Sequence, residues 1–166
     1  MSSKENLMEA FAGESQANRT YLAFAKKADE EGFAQVAKLF RAAAAAETVH
    51  AHNHLEIAGG IKDTKENLDD AIKGETFEFT TMYPNFIAEA KAEKDDAARW
   101  TFEVANKVEE IHAALYQKAL ENLGKNSEVD YYVCALCGNT VEDSTPDKCP
   151  ICGAENSEFI KIEWLN

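Results

Sequence analysis

Positively charged residues are scarce in this chain. Lys and Arg number 17 against 30 Asp and Glu, a formal net charge of −13 over 166 residues. Contacts to nucleic acid and to anionic membrane surfaces are built from Lys and Arg, so neither is expected as a partner. Apolar runs are also short, and none approaches the roughly 20 residues that a bilayer-spanning helix needs. The opening stretch, residues 1–12, lacks the charged-then-apolar layout of a secretory leader. A cytoplasmic protein is therefore expected. None of the eight glycines falls into a Gly-x-Gly-x-x-Gly turn. The chain is thus not expected to carry a dinucleotide fold of the usual kind.

Hydrophobic residues make up 45% of the chain, enough for a real core. The length suits one domain with a small appendage. The acid excess reads first as a solvated acidic surface. A second reading turns some of those carboxylates inward onto cations. The four cysteines, in a reducing compartment, point to metal ligation rather than to disulfides.

Helical periodicity covers the first three quarters of the chain. Residues 4 to about 30 carry Leu7, Phe11, Leu22 and Phe24 at helical spacing, with Glu14 in the middle and Tyr21 two turns further on. Gly32 ends this helix. A second runs from about Phe33 to Ala58 through an alanine run at 42–46 and stops at Gly59-Gly60. A third starts near Asp63, where Asp63 and Glu66 form a capping-box pattern, and carries Glu75 and Glu78. Pro84 interrupts it and is expected to bend the axis. A fourth is expected from about Lys94 to Leu123. Residues 124–127 read as a linker, Tyr131–Val133 as a strand, and Phe159 to Leu165 as a second strand closing the chain. The expected domains are 1–126 and 127–166.

Spacing makes the acidic residues informative. Glu47 and His50 stand three apart on a helix, and so on one face. Glu109 and His112 repeat the pair 62 residues later, while Glu75 and Glu78 lie 61 and 64 residues after Glu14. A lone Glu, or a lone Glu-x-x-Glu, is ordinarily a solvated helix face. Here a helix pair bearing Glu and then Glu-x-x-His occurs twice. Two Glu-x-x-His helices plus Glu from two others form the donor pattern of carboxylate-bridged di-iron or di-manganese bundles. Imidazole suits iron, whereas zinc would fill similar ligands without cycling electrons. His54 lies about 6 Å beyond His50 along the axis and is not expected to be a ligand. His52 points elsewhere, and Glu110 faces about 100° away from Glu109.

Cys134-x-x-Cys137 and Cys149-x-x-Cys152, each followed by Gly, form a strong tetrathiolate signal. Zinc would make it a structural ribbon. Iron would make it a one-electron carrier.

Taken together, Phe11-Ala12-Gly13-Glu14-Ser15-Gln16-Ala17, Glu47-x-x-His50, Gly74-Glu75-x-x-Glu78, Met82-Tyr83-Pro84, Glu109-x-x-His112 and the cysteine quartet resemble the rubrerythrin family over essentially the whole chain. The resemblance implies a mainly α protein: a ferritin-like four-helix bundle followed by a small rubredoxin-like β domain. It implies a non-haem di-iron centre held by Glu14, Glu47, His50, Glu75, Glu78, Glu109 and His112, with Tyr21 and Tyr83 near it. It also implies one mononuclear iron on Cys134, Cys137, Cys149 and Cys152. One departure is Asn139, which stands where rubredoxin-like turns usually have an aromatic residue.

Ferritin-like bundles run their second and third helices parallel, which requires a crossover. A second helix of about 26 residues is roughly 39 Å long, whereas the link from Ala58 to Thr64 reaches at most about 20 Å. Either the bundle is plain up-and-down or helix pairs are exchanged between chains. Family members with exchanged pairs favour a swapped homodimer. The activity implied is NAD(P)H-linked reduction of hydrogen peroxide to water by the diferrous site, protecting against oxidative stress. Electrons would come from an external reductase or rubredoxin through the tetrathiolate iron. A ferritin-like iron-binding or oxidase module with a structural zinc ribbon is the alternative.

Overall fold

The computed structural model describes residues 2–163. The chain divides into two compact units, residues 1–62 and 63–166.

The first unit is a helical hairpin of α1 (Ser3–Glu30) and α2 (Ala34–Ile57). Ser2 and Glu5 close a reciprocal capping box at the start of α1, satisfying amides that the first turn leaves orphaned. Gly32, at φ +83°, makes the turn out of the helix. Ala37, Ala44, Ala51 and Ala58 are all buried, seven residues apart. With Ala25 and Ala28 of α1 they form a small-residue seam that lets two long helices approach closely. Asn18 Nδ2 donates across the seam to the Ala44 carbonyl (2.6 Å) and to Thr48 Oγ1 (2.8 Å). Tyr21, Phe24 and Phe40 form an aromatic cluster with centroids 5.5–6.5 Å apart. An Arg41–Asp29 ion pair ties the two helices together on the surface.

The second unit begins with α3 (Thr64–Phe77), capped as the sequence suggests by Asp63 accepting from the Glu66 amide at 2.8 Å. A five-residue π turn, Glu78–Met82, follows, and then α4 (Tyr83–Glu93). Pro84 therefore falls in the first turn of α4, where its missing N–H is tolerated. The helical path passes into a widened turn just before the proline. Lys94, at φ +59°, ends α4, and Asp95 caps α5 (Asp96–Glu121) by accepting from the Ala98 amide. Val104, Val108 and Ala113 are the buried face of α5, beside a Tyr83–Phe86–Phe102 aromatic cluster.

The tail forms an antiparallel sheet in the order β2–β1–β3, with β1 Tyr131–Cys134, β2 Thr140–Glu142 and β3 Phe159–Lys161. Tyr132 pairs with Val141 on one side and Lys161 on the other. β2 has three residues and no alternation long enough to stand out in sequence. The closing strand ends at Lys161, and the 164–165 part of its expected range lies outside the described residues. Among the described residues, no helix is long and apolar enough to cross a membrane.

The seam makes a measurable demand. Ala44→Leu should overpack it and destabilise the metal-free protein by about 1–3 kcal/mol in urea unfolding. The same change at exposed Ala45 should stay within about 0.5 kcal/mol.

Candidate metal centres

In the first unit, Glu14 comes from α1, and Glu47 and His50 from α2. One donor atom of each lies within 4.8 Å of the other two. Glu47 Oε2 sits 2.9 Å from His50 Nδ1. The alanine seam brings the two backbones near enough for Glu14 to reach the pair. Neither His52 nor His54 joins a donor cluster among the described residues.

In the second unit the same chemistry recurs. Glu75 of α3 meets Glu109 and His112 of α5, again within 4.8 Å. His112 Nδ1 is 2.8 Å from Glu109 Oε2 and 4.0 Å from Glu75 Oε1. Burial, reinforced by the neighbouring Glu109 and Glu78 carboxylates, pushes the Glu75 carboxyl up to about 7. Glu78 opens the π turn and stands outside the three-donor group. Its carboxyl is also raised, by burial and by Glu109, while His112 pulls the other way. The π turn shifts the helical register just where Glu78 is presented, a placement typical of functional helices. Burial and the same carboxylates raise the Tyr83 and Tyr116 phenols. Tyr116 escaped the sequence reading, although it lies one turn past His112 on the same stripe.

The hydrogen-bond pattern at His112 tests whether a cation fits. Thr140 Oγ1 donates to the Gly138 carbonyl (3.1 Å) and lies 3.0 Å from His112 Nε2. A hydroxyl that donates to that carbonyl can accept from Nε2. Nδ1 lies 2.8 Å from a carboxylate oxygen of Glu109. A proton on Nδ1 or a metal ion beside it would each satisfy that contact. Metal-ligating histidines ordinarily have their other nitrogen fixed by a hydrogen-bond partner.

The four cysteine sulfurs lie within 4.8 Å of one another, with Cys134–Cys152 at 3.7 Å and Cys137–Cys149 at 3.6 Å. Sulfurs about 2.3 Å from a tetrahedral centre would be roughly 3.8 Å apart, so the quartet fits a metal without rearrangement. Two matching knuckles build it. The amides of Gly138 and Gly153 donate to the carbonyls of Cys134 and Cys149, and the amides of Cys134 and Cys149 donate to the carbonyls of Asn139 and Ala154. Gly138 and Gly153 take φ near +80°, a conformation that suits glycine. Burial works to raise the Cys149 thiol, but backbone amides of Cys152 and Ile151 outweigh it and bring it down to about 7. Burial raises the Cys137 and Cys152 thiols.

The acid cluster predicts a pH dependence. The folded Glu75 pKa lies above its ordinary 4.5. Folding therefore gains from protonation at low pH and loses that gain as pH rises through about 7. The metal-free protein should melt progressively lower between pH 4.5 and 7, and Glu75→Gln should flatten that slope. Affinity for a divalent ion should instead rise with pH, because protons and metal compete for the same oxygens.

Comparison with known proteins matches this architecture. The family model described as rubrerythrin matches residues 5–120, and that of the rubrerythrin rubredoxin-like domain matches residues 132–160. Rubrerythrin-2 of Clostridium acetobutylicum is 33% identical over 92% of this chain and 92% of its own length. Nigerythrin of Nitratidesulfovibrio vulgaris is 34% identical over 95% and 85%. A nigerythrin structure in the fully reduced, all-ferrous state superposes with a TM-score of 0.59 at 33% identity, covering 98% of this chain and 87% of that one. The fold is that of a ferritin-like helical protein with a rubredoxin-like tail, and the donor sets suit a di-iron centre and a mononuclear Fe(Cys)4 site. The chain belongs to the rubrerythrin family.

Proposed function

We propose that this protein is a cytoplasmic peroxidase that reduces hydrogen peroxide to water. Its electrons would come from an external NAD(P)H-dependent reductase or a rubredoxin. The observation that carries this reading is a pair of matching Glu/Glu/His clusters in a chain that also holds a tetrathiolate site. The family, with its di-iron and rubredoxin-like parts, is one of peroxidase-like oxidoreductases. Glu14, Glu47, His50, Glu75, Glu78, Glu109 and His112 would hold the di-iron centre. The two expected domains, 1–126 and 127–166, would house the two kinds of iron.

When bound, a di-iron pair would supply the two-electron chemistry that O–O cleavage needs, and an iron on the four cysteines would supply one-electron transfer. The chain provides the rest. Its carboxylates neutralise the cations and leave exchangeable oxygen positions. Thr140, 3.0 Å from His112 Nε2, would hold the ring so that Nδ1 could serve a metal. Cleavage to two waters also consumes two protons. The Tyr83 and Tyr116 hydroxyls, kept protonated by their raised pKa values, can donate hydrogen bonds to oxygen as charge develops on it. Tyr21, which the family resemblance sets near the centre and which packs with Phe24 and Phe40, would share that role.

We also propose that two chains complete each site. Glu14, Glu47 and His50 of one copy would meet Glu75, Glu78, Glu109 and His112 of another. Each cluster on its own is about half of the bundle donor set. The link between Ala58 and Thr64 is too short to return along a helix as long as α2. The hairpin leaves Phe33, Leu39 and Ile57 at least 58% exposed, apolar side chains that a second copy could cover.

Glu47→Ala and His50→Ala should each cut peroxide turnover by the anaerobically reduced protein at least about a hundredfold in stopped flow. Retained turnover with full iron loading would reject the assignment. Light scattering should give a dimer of the loaded protein, and a stable, fully metallated monomer would sink the exchanged-helix arrangement.

A further inference from the structure

Asn139 is the one buried polar or charged residue among those described, at 1% exposure. Burying a carboxamide is costly unless its hydrogen-bonding groups find partners. The side-chain partner here is a sulfur: Asn139 Nδ2 donates to Cys149 Sγ at 3.7 Å. The nitrogen must be the end that faces the thiolate, because a carbonyl oxygen would set two acceptors against each other. Cys149 is itself 2% exposed, so water does not compete for that sulfur.

The pseudo-symmetry of the site isolates what this side chain adds. Both knuckles use the same backbone pattern, and the positions that accept from the first cysteine of each are Asn139 and Ala154. Backbone geometry therefore asks only for a carbonyl at this place, and alanine supplies it in the second knuckle. The carboxamide is an addition confined to the first knuckle, where an aromatic residue would offer no such amide donor.

We propose that Asn139 raises the reduction potential of the tetrathiolate iron. This rests on the reading of the cysteine quartet as an iron site and is independent of the peroxidase reading. Reducing such a centre adds one negative charge to its four thiolates. A donor aimed at a sulfur stabilises the more negative state more strongly, and in a buried setting the dipole acts with little screening. Hydrogen bonds to sulfur and solvent exposure are established controls of iron–sulfur potentials. Asn139 supplies the first.

The test is a redox titration of the iron-loaded full chain, followed by its ferric–thiolate absorption. Asn139→Leu keeps most of the volume and removes the donor. Its midpoint should fall by an amount equivalent to about tenfold in the one-electron equilibrium, ~59 mV. Asn139→Asp is nearly isosteric and sets a carboxylate against the thiolates, so its midpoint should fall at least as far. A thermal melt of each variant, read at the same absorption, separates tuning from damage. A midpoint equal to or above that of the parent protein in either iron-loaded variant would overturn the proposal. So would loss of iron from both, which would make Asn139 a structural residue only. A parent protein without ferric–thiolate colour would overturn the iron reading beneath it, whatever its peroxide turnover.

Discussion

The second unit depends on holding three carboxylates and an imidazole together. Glu75, Glu78 and Glu109 act on one another, and His112 Nδ1 stands 2.8 Å from Glu109 Oε2. Burial first, and then the neighbouring carboxylates, raise the Glu75 carboxyl to about 7, so the cluster favours a proton or a cation. A protein keeps such a cluster only if the surrounding structure holds it in place. Here the holding elements are the Asp63 and Asp95 caps, the buried face of α5 and the aromatic cluster around Phe102. In the first unit the alanine seam does the same for Glu14, Glu47 and His50. The alanine seam contributes little bulk and lets α1 and α2 approach closely, and approach distance sets where carboxylate oxygens can meet.

The parts of this arrangement that periodicity and spacing encode were legible in the sequence. In both Glu-x-x-His pairs the carboxylate and the imidazole stand side by side because i and i+3 share a helix face whatever the tertiary context. The cysteine knuckles close as expected because Cys-x-x-Cys-Gly is a local turn. Asp63 caps its helix because the pattern is four residues long. The illegible parts are those where a distant contact decides. The π turn before Pro84 adjusts to a proline in a helix that stays packed against α5, and no local pattern announces it. Tyr116 looks like one more surface residue of an amphipathic helix until Glu75, from another helix, is brought near. Thr140 sits 28 residues from His112, and nothing in Gly-Asn-Thr-Val suggests an imidazole partner. Asn139 was visible only as a departure from the usual turn. Its burial and its sulfur partner gave that departure a meaning.

The tail and α5 belong to one compact unit, and the nature of their contacts says what orients them. Lys118 reaches Glu142 at 2.5 Å, but the lysine side chain is more than half exposed, and such surface pairs contribute little. The stronger constraint is at backbone level. A Cβ added at Gly138 would sit 3.7 Å from a Val108 methyl, so the first knuckle lies directly against the buried face of α5. One turn along from Val108, His112 binds Thr140, two residues beyond Gly138. A residue that turns the knuckle by its positive φ thus also brings it onto the helix bearing Glu109 and His112. The Asn139–Thr140 dipeptide then faces both ways, with an amide on a thiolate of one site and a hydroxyl on an imidazole of the other.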